Sequence, residues 1–387
     1  MNTNGIVFYV QDILISYSRR IGFCTGDRYD RSSAALLQKA FNTDYSSIQL
    51  TISGFLVIYA ASQLLSGFLG EKLGKLRILT ASFLLFLAGS LLCFMSDSLE
   101  MLLAGRALQA LGAGTGPVLS KAIAKETFSP LTLKRALSDI SSASAVVPLI
   151  APLAGAAILG YMSWNTIFLV MALFSVVTLL LSPRHLVHHD VATVSSSSGF
   201  ITPAFIQGTL LVSLILSSLF CYISLSPAIF MQQLGLSTIH YSLLFSASVL
   251  FFIIGNQLAK FERIINPWFL FGINALSVFP FIIGSHSLIL CIAGSMIFNL
   301  TLGAYYPSAN FIALQIKGKK TGIAASVTGF IQTVSAGAIS YLAVKLTDTG
   351  MGFDRTLGMS TLTLAILSLL VVTTMKVTQW KTGKKGK

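Results

Sequence analysis

Charge is scarce in this chain. Of its 387 residues only 10% are Asp, Glu, Lys or Arg, against about 25% in an ordinary soluble domain. None of the four occurs from Val191 to Ala259, from Ile264 to Ile316, or from Thr321 to Val344. A soluble core helix keeps one face polar, so uncharged runs of this length exclude a water-soluble globular protein. They also exclude a nucleic-acid partner, which needs a basic solvent-facing surface. Cysteine is sparse as well. Cys24, Cys93, Cys221 and Cys291 stand far apart with no C-x-x-C spacing, which gives neither a metal site nor a disulfide framework. "HLVHH" (185–189) sits in a short polar stretch and reads as solvated histidine. "GKKTG" lacks the upstream glycine and the Gly-Lys-Thr order of a phosphate loop. No cofactor, no metal and no enzymatic chemistry are therefore expected.

What the chain has in quantity is apolar sequence: 54% of residues are hydrophobic and the mean hydropathy is +0.79. A bilayer span needs about 20 predominantly apolar residues. Turn signals and short charged loops divide the chain into eleven clear helices, near Ser47–Leu69, Ile78–Met95, Leu99–Ile123, Ala136–Gly160, Trp164–Leu181, Phe205–Leu225, Tyr241–Leu258, Trp268–Gly284, Leu288–Ile312, Gly322–Val344 and Leu357–Val377. The runs are continuous and far exceed the about 9–11 residues of a barrel strand. The fold class is an all-α, multi-pass membrane protein. The amino terminus is different: "GIVFYVQDILISY" (5–17) offers 13 residues including Asp12, and "SRRIGFCTGDRYDR" follows with six charges. A first helix there is doubtful, and residues 1–46 are expected to be an atypical segment.

Basic residues fix the orientation. Alternate loops hold Lys72, Lys75, Arg77, Lys121, Lys125, Lys134, Arg135, Arg184, Lys260, Arg263, Lys317, Lys319 and Lys320, and the tail adds five lysines; the opposite loops hold only Lys345 and Arg355 after residue 46. Short basic loops remain in the cytoplasm, which places the C-terminus there, and the formal charge of +13 is a topology signal that anionic lipid reinforces.

An internal repeat is also legible. "GFLGEKLGK" from Gly67 aligns with "GNQLAKFER" from Gly255, and "GAGTGP" ending at Pro117 falls opposite "GAYYP" ending at Pro307. The expected organisation is a helical bundle at 47–182, a linker at 183–200, a second bundle at 201–378 and a basic tail at 379–387. Two like halves joined by a polar linker are the arrangement of secondary transporters.

Within "GRALQALGAG" a guanidinium, Arg106, sits in an apolar run, where a charge at the bilayer centre costs roughly 2.5–3.5 kcal/mol. Either Arg106 is a structural clamp on backbone carbonyls, or it lines a polar interior with Gln109, its i+3 neighbour, and tunes a carboxylate there. The candidate carboxylates are few: Asp12, Asp27, Glu71, Glu100 and Asp139.

These stretches resemble the major facilitator superfamily. "GFLGEKLGKLR" is similar to its loop motif between helices two and three, placing Gly67, Glu71, Lys72, Gly74 and Lys75, with Glu71 standing for the family's Asp. "GRALQALGAG" resembles the fourth-helix motif, placing Arg106 and Gln109. "VPLIAPLAGA" resembles the antiporter motif of helix five, placing Pro148, Ala151, Pro152 and Gly155. "FCYISLSPAIFMQQLGLS" and "LGAYYPSANFIAL" are similar to the Bcr/CflA branch of drug/proton antiporters. The family's first helix ends in D-x-Y-x-P; "DRYDR" supplies Asp27 and Tyr29, with Arg31 in place of the proline.

The resemblance implies export of small amphipathic drugs or metabolites across the cytoplasmic (inner) membrane by proton antiport and alternating access, by a monomer. Asp27, Arg106 and Gln109 would carry the coupling and the "GEKLGK" loop the gate. Tyr29, Tyr222, Ser226, Phe230, Asn299, Tyr305 and Gln332 would line the substrate cavity, mainly apolar with sparse polar points; for each of those in the second half the alternative is ordinary helix packing. Two alternatives share the fold: a non-transporting relic or membrane interaction protein, given the degraded first helix, and a nutrient symporter.

Overall fold

The computed structural model describes residues 41, 43, 45–181, 201–261, 267–284, 287–316 and 320–383. Every regular element among them is helical. In chain order they are α1 (Tyr45–Leu73), α2 (Lys75–Phe94), α3 (Leu99–Ala113), α4 (Thr115–Thr127), α5 (Pro130–Tyr161), α6 (Thr166–Leu181), α7 (Pro203–Pro227), α8 (Thr238–Leu258), α9 (Pro267–Ser277), α10 (Phe279–Ile282), α11 (Leu288–Ala313), α12 (Thr321–Thr347) and α13 (Phe353–Gly383). Seven of the described helical stretches are long and apolar enough to cross a membrane.

The helix starts follow local chemistry. Ser98 and Thr202 cap α3 and α7 by accepting the Met101 and Phe205 amides at 3.2 and 3.1 Å, which satisfies N–H groups that have no partner inside the helix. Gly74 separates α1 from α2 at φ 95°, a left-handed conformation that suits a residue without Cβ. Two expected helices are divided: Leu99–Ile123 becomes α3 and α4, meeting at Gly114, and Trp268–Gly284 becomes α9 and α10, where Pro280 occupies the first turn of α10. After Pro227, α7 passes into a π-helical turn, Ala228–Gln233, a form frequent at functional sites. α5 begins at Pro130, six residues before its expected start at Ala136.

The chain divides into two compact units: Met1–Ala124, Ala143–Ser196 and Lys319–Phe330 form unit 1, and Lys125–Ser142, Ser197–Gly318 and Ile331–Lys387 form unit 2. This differs from the expected cut at the central linker. The first part of α5 is grouped with the second half of the sequence, and the first three turns of α12 with the first half.

Unit 1 is built on close approach of α2 and α3. A methyl group on Gly89 would fall 2.6 Å from the Gln109 amide, and one on Gly105 would fall 2.6 Å from Cys93 Sγ. Small residues let membrane helices pack at backbone distance, where dispersion and hydrogen bonds replace the hydrophobic effect. Phe55, Tyr59, Phe86, Leu102, Ile167 and Met171 fill the core around this seam. In unit 2 the corresponding seam is α8 against α11. Gly255 lies on Leu300 and Ala304, and Gly303 lies on the Phe252 carbonyl.

Candidate functional site

Arg106 lies inside unit 1, 5% exposed. Its Nη1 donates to Gln109 Oε1 at 3.2 Å and its Nε reaches the Thr51 carbonyl at 3.5 Å. The guanidinium carbon stands 4.2 Å from the centre of the Phe55 ring, so the ring's negative face stabilises the buried cation. Gln109, fully buried, passes the contact on by donating to Ser90 Oγ at 2.8 Å. The i, i+3 spacing read from the sequence thus becomes one polar cluster spanning α1, α2 and α3. Thr51, Phe55 and Ser90 were not legible as its members, since each is an ordinary residue on another apolar helix. Asp27, expected to share the proton coupling, and Tyr29, expected in the substrate cavity, lie outside the described residues.

The "GEKLGK" segment closes α1 and opens α2. Glu71 Oε1 accepts the Gly322 amide at 2.6 Å and pairs with Lys75 Nζ at 3.2 Å. Gly322 belongs to the first turn of α12, where unpaired amides and the helix dipole attract a carboxylate. Contact at this level requires small residues: a methyl on Gly67 would collide with the Ser326 side chain, and one on Gly322 would fall 2.8 Å from Glu71 Oε1. Lys72 is exposed. All of these residues belong to unit 1.

Unit 2 holds a second polar tie, from the end of α8 to the first part of α5. Lys260 Nζ is paired with Asp139 Oδ1, and Gln257 Nε2 donates to Ser142 Oγ at 2.7 Å. Lys260 is the residue that the internal repeat aligns with Lys72. Lys121, counted from sequence among the loop cations, instead lies within α4, 8% exposed.

The expected cavity residues of the second half are largely packed inward. Tyr222 is 2% exposed and donates its hydroxyl to Ser248 Oγ at 3.1 Å. Ser226 Oγ lies 2.9 Å from the Tyr241 hydroxyl, and Phe230 is fully buried beside Tyr241 and Phe281. Asn299 donates to the Ser295 carbonyl at 2.9 Å. Tyr305 stacks on Phe271 at 4.2 Å. Gln332, buried in α12, has an Oε1 without a hydrogen-bond partner. Tyr222, Ser226 and Phe230 therefore share one aromatic cluster. α5 runs as helix through Pro148, Ala151, Pro152 and Gly155, whose side chains lie outside the described set.

Residues 32–343 match the sequence family described as Major Facilitator Superfamily. The chain is 27% identical over 327 residues to a Bacillus subtilis (strain 168) protein called "Uncharacterized MFS-type transporter YdgK", covering 79% of this chain and 81% of that one. It is 24% identical over 208 residues to "Multidrug resistance protein MdtL" of Shigella flexneri serotype 5b (strain 8401), a match that spans 52% of this chain and 53% of that protein. In fold it is similar to the proton:xylose symporter XylE, with TM-score 0.77 and 13% identity over 98% of this chain and 95% of that one. It is likewise similar to the human organic anion transporter MFSD10, with TM-score 0.70 and 16% identity over 95% of this chain and 98% of that one.

Proposed function

The chain belongs to the Major Facilitator Superfamily, and on that premise we propose that it is a proton-coupled exporter of small amphipathic drugs or metabolites. The observation that carries the reading is the Glu71 contact with the start of α12. A single carboxylate on a helix N-terminus forms and breaks as a unit, and an alternating-access carrier needs such a bistable element. The Lys260–Asp139 pair is the second tie of the same kind. Release of both frees the first turns of α12 from α1 and the first part of α5 from α8.

Export of drugs, rather than of another solute, is supported by the multidrug name of the relative MdtL and by the likeness to the Bcr/CflA antiporter branch carried by the second-half motifs. In this reading Arg106 and Gln109 tune the coupling proton, Asp27 carries it, and small-molecule substrate, protons and lipid are the partners. The protein works as a monomer in the cytoplasmic (inner) membrane with its C-terminus in the cytoplasm, as the basic loops direct.

Expression in an efflux-deficient bacterium tests this. Accumulation of at least one amphipathic dye from a broad panel falls on expression, and Arg106→Ala restores it at unchanged protein level. Unchanged accumulation across the panel supports the non-transporting alternative.

A further inference from the structure

Three cations crowd the turn between α1 and α2, and they face different ways. Lys75 turns to Glu71. Lys72 and Arg77 are exposed, and among the described residues no carboxylate pairs with either. Glu71 offsets one of the three bases, which leaves the turn with an uncompensated positive surplus. Arg77 is not explained by its own helix. It stands in the first turn of α2, which has no acidic residue and no capping side chain, so its charge opposes the helix dipole.

The backbone holds Lys72 and Arg77 close together. The Gly74 amide donates to the Gly70 carbonyl at 3.1 Å, and the Gly74 carbonyl accepts the Ile78 amide at 3.2 Å, so helical spacing applies on both sides of a single residue. That spacing puts the two Cα atoms within about 11 Å of each other. The Arg77 stem also folds back over the turn, its Cδ lying 3.9 Å from where a methyl on Gly74 would stand.

Each of the two cations stands at the end of an exposed apolar stripe. On α1 the stripe is Val57, Ala61, Leu65 and Phe68, finishing at Lys72; on α2 it starts from Arg77 and continues through Ala81, Leu84, Ala88 and Leu91. Spacings of three and four residues keep each set on one helix face. Both helices are long and apolar enough to cross a membrane, and they pack on one another, so these faces meet acyl chains. One leaflet of hydrocarbon is about 15 Å deep, or about ten residues of helix. Counted from the two cations, that depth takes in Leu65 and Phe68 on α1 and Ala81 and Leu84 on α2. Charge that orients a membrane protein acts by its count in the loop; here the facing is the added observation.

We propose that Lys72 and Arg77 bind the phosphate of an anionic glycerophospholipid of the adjoining leaflet, whose acyl chains lie along the two stripes. A headgroup of net negative charge is favoured over a zwitterion, because an ethanolamine ammonium would meet cations that no acid offsets. A soluble anion has the phosphate alone and gains nothing from the stripes. The site is independent of what the protein transports.

Native mass spectrometry of the full-length protein in detergent, titrated with phosphatidylglycerol or with phosphatidylethanolamine of the same chains, tests it. A basic side chain near an anionic surface contributes about fivefold in affinity, so two give the wild type about a thirtyfold preference for phosphatidylglycerol. Lys72→Gln and Arg77→Gln each lose about fivefold of that preference, and the double variant loses nearly all of it. The single variants carry the result should the double one fail to fold. Lys345→Gln, which removes an exposed cation 5.8 Å from the Tyr341 ring, keeps the preference. No preference in the wild type, or an equal loss in Lys345→Gln, overturns the proposal. Displacement of bound phosphatidylglycerol by inorganic phosphate overturns it in favour of a free-anion site.

Discussion

Glu71 and Gly322 are 251 positions apart in sequence and share a 2.6 Å hydrogen bond from backbone amide to carboxylate. The same carboxylate holds Lys75, so one acidic side chain ties the end of α1, the start of α2 and the start of α12. Hydrogen bonds to charged groups contribute about 1.5–3 kcal/mol. A difference of that size moves a two-state equilibrium about 10- to 100-fold.

Glu71→Ala is expected to abolish this tie while leaving the fold intact. A cysteine placed at Ser326, which Gly67 covers, becomes alkylated at least about tenfold faster in the Glu71→Ala background, following that arithmetic. Glu71→Gln keeps an acceptor oxygen but loses the charge, and falls between the two. An alkylation rate equal in all three contradicts the tie.

Gly67→Val drives a branched side chain into Ser326. The expected outcome is a folded protein with transport lost, since overpacking of this kind costs about 1–3 kcal/mol at the contact the gate depends on. Gly54→Ala and Gly272→Ala are the controls, because a methyl at either meets nothing within 4 Å. Both retain transport; a Gly67→Val protein that transports normally removes the gate from this place.

Arg106→Lys is not conservative here. An ammonium cannot bond Gln109 and the Thr51 carbonyl with the geometry of the planar guanidinium, and each buried acceptor left unmade costs about 1–3 kcal/mol. Arg106→Lys and Arg106→Ala are both expected to lower the melting temperature in detergent, and neither to transport. Wild-type stability in both variants contradicts the cluster.

The Asp139–Lys260 pair is partly exposed, with side chains 36% and 25% accessible, so its worth to stability is about 0–1 kcal/mol. Asp139→Asn and Lys260→Gln are expected to leave the melting temperature nearly unchanged and to lower the transport rate. The charge exchange Asp139→Lys with Lys260→Asp recovers a substantial part of it. Equal rates in the single and exchanged variants contradict a role for the pair.

The membrane spans were legible because they rest on one variable, the absence of charge, which runs such as Val191–Ala259 display without ambiguity. The partnership of Arg106 with Gln109 was legible for a similar reason, since helical spacing alone sets it. Facing was not legible. Helices apolar on every side carry no stripe to show which residues turn inward, so the sequence left Tyr222, Ser226 and Phe230 open between cavity lining and helix packing and did not show their neighbours Ser248, Tyr241 and Phe281. The "GEKLGK" loop was legible as a candidate gate, but its long-range partner was not. The amide of Gly322 carries no side chain to announce it, and only the glycines at 67 and 322 mark the approach. The division of α3 from α4 at Gly114 was marked in sequence only by the glycines and proline of "GAGTGP", which membrane helices also tolerate without breaking.

The central claim is proton-driven export gated at α1 and α12, and proteoliposomes test it most directly. With the purified full-length protein and an imposed pH gradient, an amphipathic fluorescent dye is expected to move against its own gradient in exchange for protons. The movement stops when an ionophore collapses the pH difference, and is absent with Arg106→Ala. Dye movement that proceeds equally with and without the gradient, or the absence of movement for every dye of a broad panel, contradicts the account.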